Sequence, residues 1–445
     1  MKFFCKFPLG LLAAIAFAAC GSSATFSVSS VTPSGGSTLG GTSVTISGHG
    51  FTAGATVKFG SRSATVVSIS STSISATAPQ SDSTTGAVDV TVTLSTGSSS
   101  KLSGGYTYTS MLAVANRDSA EVDNFSVNRQ TPSITKFSTS PISVGGMLPR
   151  SIGVDGAAAL MFVVNFGSAN VSSFLYSMAD GKMTAATGSP FSVSGTGPVA
   201  VAVDTVNHLI FTANSTSNDV SSLSYDASTG ILTLVETEVV VSSGRAPADV
   251  AVDPVLRLLF VPNSDSNTVA VFSYTAAGDM TQVGTGTGAG GTTPYAVILD
   301  TARMLAFVAL KGSNTISVFS YKSDGTITAV SGSPFSATGT GPADIAVDAA
   351  SSLIFVVYSS SATVGAYSYD TAGYLTPVTD TPPGTDGTTP LSLDIDTSNH
   401  VVFVANTGSS VIQLFTYDQS SGDLTAAGNT VSSGGTSPYW VAFIP

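Results

Sequence analysis

The stretch "PADVAVDPVLRLLFVPNSDSNTVAVFSY", residues 247–274, holds three short apolar runs set apart by polar turns. In "PADVAVD", "LLFVPN" and "TVAVFSY" β-branched and aromatic residues dominate, and proline, aspartate and asparagine mark the joints. Runs of that length and composition predict strands rather than helices. A weaker fourth run, such as "GILTLVE" (230–236) or "GTITAVS" (325–331), completes a unit.

The unit recurs. A proline opens each copy: "PRSIGVD" (149), "PVAVAVD" (198), "PADVAVD" (247), "PYAVILD" (294), "PADIAVD" (342), "PLSLDID" (390) and "PYWVAFI" (438), at intervals of 49, 49, 47, 48, 48 and 48 residues. Four short strands per ~48 residues predict a propeller blade, and seven copies predict seven blades. The chain enters this region on a second-strand run, "LAVAN" (112–116), and ends on a first-strand run, 438–444. Blade 1 is therefore expected to combine both ends of residues 112–445, which removes the open sheet edges. The period and the "P-x-x-(I/V)-A-V-D" and "V-A-N…(V/I)-x-V-(F/Y)-x-Y" strands resemble the seven-bladed lactonase-like propellers near the YVTN group. That resemblance implies ligand binding at the top face or central channel, and activity on a sugar lactone in some members.

Residues 26–109 read differently. Short alternating strands, "SVTISGHGF", "TVKFGS", "SISATAP", "VDVTVTLS" and "GYTYT", predict a small immunoglobulin-like β-sandwich. Pro33, Gly40-Gly41, "GHGF" (48–51), "VKFGS" (57–61), "ATAP" (76–79) and "YTY" (106–108) resemble the IPT/TIG family. The fold class is thus all-β, a small sandwich followed by a propeller.

Residues 1–19 have a basic head, Lys2 and Lys6, and an apolar run from Leu9 to Phe17, as a secretory signal does. The "FAAC" ending resembles a bacterial lipobox, which implies lipidation of Cys20, a short tether over 20–25 and membrane attachment through the lipid. Gly21 after the cysteine favours the outer membrane by the same analogy. The other cysteine, Cys5, leaves with the signal, so no disulfide is expected. Charged residues make up 9% of the chain and the net charge is −12. Nucleic acid is excluded as a partner, because phosphate binding needs clustered Lys and Arg.

Aspartate ends six of the seven first strands: Asp155, Asp204, Asp253, Asp300, Asp348 and Asp396. Such repetition points to turn-capping rather than catalysis, and His208 and His400 fall in the same turns, several blades apart. Chemistry is expected at the opposite, top face. The densest polar set there is Arg117, Asp118 and Glu121 in the blade 1 loop, with Arg150 on the neighbouring inner strand and Tyr439 and Trp440 on blade 1's own. Tyr295, Asp249 and Asp344, near the starts of other first strands, are further candidates around the central channel. Arg–carboxylate groups beside the sole Trp suit a polar ligand or sugar, and equally describe a surface ion-pair cluster. "GTGAGG" (286–291) matches a dinucleotide fingerprint but opens no helix and is expected to be a flexible loop. "NSDSN" (263–267) lacks the glycine and glutamate of a calcium loop. No metal or cofactor is expected. The sequence favours a lipid-anchored binding or scaffold protein for a glycan, envelope or protein partner; a lactonase-like hydrolase is the alternative.

Overall fold

A computed structural model of the chain describes residues 25–81, 86–129, 131–240, 244–379 and 381–445. The predicted signal peptide and Cys20 lie outside the described residues. Every named element is a β-strand. From residue 149 onward, six sheets each pair four consecutive strands in sequence order. Blade 2, for instance, comprises Pro149–Asp155, Leu160–Asn165, Asn170–Tyr176 and Met183–Ala185. Second strands such as Leu160–Asn165 and Val401–Asn406 are buried at every position. Neighbouring blades cover both their faces, which is why they read as unbroken apolar runs instead of alternating ones.

Blade 1 closes the ring. Pro438–Ile444 pairs antiparallel with the end of a long strand, Ser99–Asn116, with Pro438 opposite Asn116 and Ile444 opposite Met111. Glu121–Asn128 lies on that strand's other side. In six blades the pairing of the first and second strands slips by one residue just after the opening proline, as at Pro149/Ser151 and Pro438/Trp440. In blade 4 only Ala251–Asp253 pairs regularly, with Pro247 bridging Asn263. The run 286–291 is not wholly a loop. Thr287 and Gly288 pair with Val269 and Thr268, because backbone pairing needs no side chain.

The repeated aspartates cap the bottom turns and also join blades. One oxygen of Asp204 accepts the Val206 and Asn207 amides at 2.9 and 3.0 Å, and the other accepts the Tyr274 hydroxyl of the next blade at 2.7 Å. The same latch links Tyr225 to Asp155, Tyr321 to Asp253, Tyr369 to Asp300 and Tyr417 to Asp348. His208 and His400 sit in these turns with left-handed backbone, φ 54 and 57, as do Ala159, Arg257, Met304 and Ser352. They are turn residues far from the top face.

Both joints that flank blade 1 depart from this pattern, and the N-terminal domain docks at both. At the joint with blade 7 the tyrosine position is Val127, and Arg129 instead grips Asp396 and donates to Thr38 Oγ1 of the sandwich at 2.7 Å. At the joint with blade 2 the aspartate position is Ile444. Tyr176 there lines a cavity with Gly35 and Gly36 of the sandwich. Between them, Ser37 donates its hydroxyl to the Pro445 carbonyl. No linker separates the units at 109–112. Ser99–Asn116 runs unbroken through both, and Ser110 and Met111 are fully buried. The sandwich itself packs Ile46, Val57, Phe59, Ile74, Val90 and Tyr106 between its two sheets.

Candidate functional site

Two repeat positions converge on the top of the central channel. One is the residue after each opening proline, Arg150, Tyr295 and Tyr439 among them. The pairing slip at that point lets a side chain leave the regular alternation, as a β-bulge does, and turn to the mouth. The other is the residue just after each second strand, such as Arg117, Phe166, Ser264 and Lys311.

Arg150, Tyr295 and Tyr439 from the first position and Ser215 and Ser264 from the second line a cavity of about 230 Å³ together with Trp440, Asp249 and Asp344; Arg117, Phe166 and Lys311 do not line it themselves. Tyr295 of blade 5 reaches across to Tyr439 of blade 1, hydroxyl to hydroxyl at 2.9 Å. A cation lies against each ring. Lys311 Nζ sits 4.1 Å from the Tyr295 centroid, and the Arg150 guanidinium lies 5.3 Å from that of Tyr439 and 3.7 Å from that of Phe166. Arg150 Nε is buried with no hydrogen-bond partner, and among the described residues no carboxylate pairs with Arg150 or Lys311. Burial lowers the Lys311 pKa, since desolvation disfavours the charged amine.

The floor is acidic and nearly closed to water. Asp249 and Asp344 are 8% and 6% exposed. Asp249 accepts the Val250 and Val297 amides at 2.8 and 2.9 Å; Asp344 accepts those of Ile345 and Leu393 at 2.8 and 3.0 Å. Each carboxyl thus stitches its first strand to that of the next blade. Burial raises Asp249 to about 7 and Asp344 to about 8, against the pull of those amides.

The structure divides the polar set that the sequence singles out. Arg150, Asp249, Tyr295, Asp344, Tyr439 and Trp440 meet at the cavity. Arg117 and Asp118 form an exposed ion pair at the rim, 2.8 Å apart, with Arg117 5.7 Å from the Tyr439 ring centroid and Asp118 held by the Ser437 hydroxyl at 2.6 Å. Glu121 starts the third strand of blade 1 and does not line the cavity. Sequence reasoning misses Lys311 and Phe166. Their signal is the repeat position that follows each second strand, where most blades carry Ser or Thr.

The model of the seven-bladed β-propeller lactonase family matches residues 146–298 and 249–443, and that of the IPT/TIG domain matches 27–110. The chain belongs to the lactonase propeller family. Solved structures similar to this lactonase-family propeller include the periplasmic gluconolactonase PpgL of Pseudomonas aeruginosa, at 19% identity and TM-score 0.65, covering 76% of this chain and 99% of that one. A Bacteroides fragilis protein given as a candidate 6-phosphogluconolactonase matches at 18% identity and TM-score 0.66, covering 76% and 98%. A Lactobacillus plantarum protein matches at 18% and 0.64, covering 76% and 100%. At such identities the likeness is one of fold. No curated protein matches the chain in sequence.

Proposed function

We propose that the channel mouth binds a small anionic, hydroxyl-rich ligand, a sugar acid or its lactone. The chain then acts as a lipid-anchored extracytoplasmic binding protein. The observation that carries this reading is a pair of partly buried cations, Arg150 and Lys311, that have no carboxylate partner among the described residues and flank the Tyr295–Tyr439 bridge. Burying an unpaired cation is costly, and an incoming oxyanion that accepts from Arg150 and Lys311 offsets that cost. The cavity suits a monosaccharide, with tyrosine, serine and tryptophan surfaces for its hydroxyls and ring face.

The N-terminal domain supports a presenting role. The Val28 amide donates to Ser100 Oγ near the start of Ser99–Asn116, so the described N-terminal end lies at the pole away from the propeller. An 18-residue strand spans about 60 Å. An acyl chain on Cys20 would then hold the propeller's bottom toward the membrane and the mouth outward.

Calorimetry with gluconate, glucuronate and 6-phosphogluconate against glucose tests the reading. The anions should bind, and Arg150→Ala or Lys311→Ala should weaken them at least about tenfold, a loss of ~1.4 kcal/mol. Equal affinity for glucose and the anions would overturn it.

Hydrolysis of a sugar lactone is the second reading, favoured by the near-neutral Asp249 and Asp344 at the cavity floor. A base of that pKa suits activation of water. Both oxygens of each already accept main-chain amides, which places binding first. Turnover of gluconolactone that vanishes in Asp249→Asn or Asp344→Asn, with gluconate affinity retained, would reverse that order.

A further inference from the structure

The carboxyls that line the mouth cavity have no counterion. Asp249 and Asp344 are 8% and 6% exposed, and among the described residues no Lys or Arg forms an ion pair with either. They also act on each other, since the charge of Asp249 is one of the causes that lift Asp344. Tyr295 feels both the Arg150 charge and that of Asp344, so the cations and carboxyls of the mouth stand within electrostatic reach of one another. The first strands around the lumen bring Arg150, Asp249, Tyr295, Asp344, Asp394 and Tyr439 to it as titratable groups, while that of blade 3 adds only Val199 and Val201. Asp394 lines the lower part of the lumen and not the mouth cavity. Lys311 stands against the Tyr295 ring, and Arg117 at the rim is already paired with Asp118.

An oxyanion that enters between Arg150 and Lys311 therefore also meets the Asp249–Asp344 pair. Ionised, the pair repels it, and burial leaves that repulsion poorly screened; protonated, the pair does not. We infer that anion binding at the mouth is coupled to proton uptake by Asp249 and Asp344, so that the site holds its ligand in acidic surroundings and releases it in alkaline ones. The inference rests on the anionic-ligand reading above. The sign follows from linkage: a bound state that holds more protons loses affinity as pH rises, by at most about tenfold per pH unit for each proton taken up. Burial already raises Asp249 to about 7 and Asp344 to about 8, so the pair gives up its protons across the range where affinity should change.

The test is calorimetry of glucuronate on the full chain from pH 5.5 to pH 9, a range in which the ligand's own carboxylate stays ionised. Affinity should fall at least about tenfold between pH 6 and pH 9, and near pH 7.5 the binding heat should vary with the ionisation enthalpy of the buffer, in the sense of proton uptake. Infrared difference spectra should gain the carbonyl stretch of a protonated carboxylic acid on binding. Asp344→Asn should flatten the pH dependence and bind glucuronate more tightly than the unaltered chain at pH 9. Should that variant fail to fold, the infrared band of the unaltered chain still locates the proton. Burial lowers Lys311 as well, so Lys311→Arg, which keeps its charge throughout, is the second variant and should still show the decline. A decline abolished by Lys311→Arg, with no carboxylic-acid band gained, would place the proton on Lys311 and overturn the inference. Affinity independent of pH would overturn the linkage and leave the anionic-ligand reading intact. Absence of glucuronate binding at every pH would overturn both.

Discussion

Arg129 and Asp396 form a buried bidentate pair, with Nε and Nη2 each 2.7 Å from a carboxylate oxygen. Their side chains are 5% and 1% exposed, and they lie 267 residues apart in sequence. The third guanidinium nitrogen donates to Thr38, so one side chain ties blade 7, blade 1 and the N-terminal sandwich together.

Arg129→Ala should lower the unfolding free energy by ~3–5 kcal/mol, because it strands a buried carboxylate as well as removing a contact. Urea denaturation measures this. A change under about 0.5 kcal/mol would mean that Asp396 is solvated after all.

The tyrosine latches allow an internal contrast. Tyr274→Phe removes a 2.7 Å donor to Asp204 and should cost ~1.5–3 kcal/mol. Tyr176 holds the same repeat position in blade 2, but its hydroxyl makes no hydrogen bond among the described residues, since Ile444 replaces the aspartate. Tyr176→Phe should therefore be near neutral. Equal losses in the two variants would show that ring packing, not the hydroxyl, makes the joint.

Deleting residues 438–445 removes the first strand of blade 1 and exposes the edge of Ser99–Asn116. Val441 and Ile444 are fully buried there. The melting temperature of the whole ring should drop, with increased aggregation through the bared edge. An unchanged melting curve would contradict closure by this strand.

The channel carboxyls set a pH dependence. Burial raises Asp394 to about 6, Asp249 to about 7 and Asp344 to about 8, all above their unfolded values. A folded state that holds its protons more tightly is favoured at low pH. This contribution is complete below about 4 and is lost as pH rises through 6–8, with a slope of at most ~1.4 kcal/mol per pH unit per proton. The unfolding midpoint should be higher at pH 5.5 than at pH 8.5, and Asp344→Asn should flatten the difference. A midpoint that rises across that interval would show that the amide hydrogen bonds outweigh burial.

The repeat made much of the fold legible, because four-strand periodicity and alternation are local properties. The position of each first-strand aspartate and third-strand tyrosine was visible too, as a repeated residue. Their pairing was not, since Asp204 and Tyr274 are 70 residues apart and meet only when blades stack. Arg129 left no sign at all, being two residues beyond the position it replaces. That one strand, Ser99–Asn116, serves both units across 109–112 was equally hidden. The change from the largely polar, alternating Ser99–Thr109 to the fully buried Met111–Asn116 is visible in the sequence, whereas the unbroken backbone through it is not.

At the candidate site, Arg150, Tyr295 and Tyr439 could be read from their place after the opening prolines, whereas Lys311 could not be ranked above the other lysines. Residue order and periodicity determined the ring, its closure and the face where polar groups gather. Only the tertiary structure decided that Arg117 keeps its carboxylate partner at the rim while Arg150 and Lys311 have none among the described residues, and that burial raises Asp249 and Asp344 toward neutrality nearby. Pairing and desolvation depend on what other blades bring within a few ångströms, and residues such as Tyr295 and Tyr439, 144 apart in sequence, meet only across the closed ring.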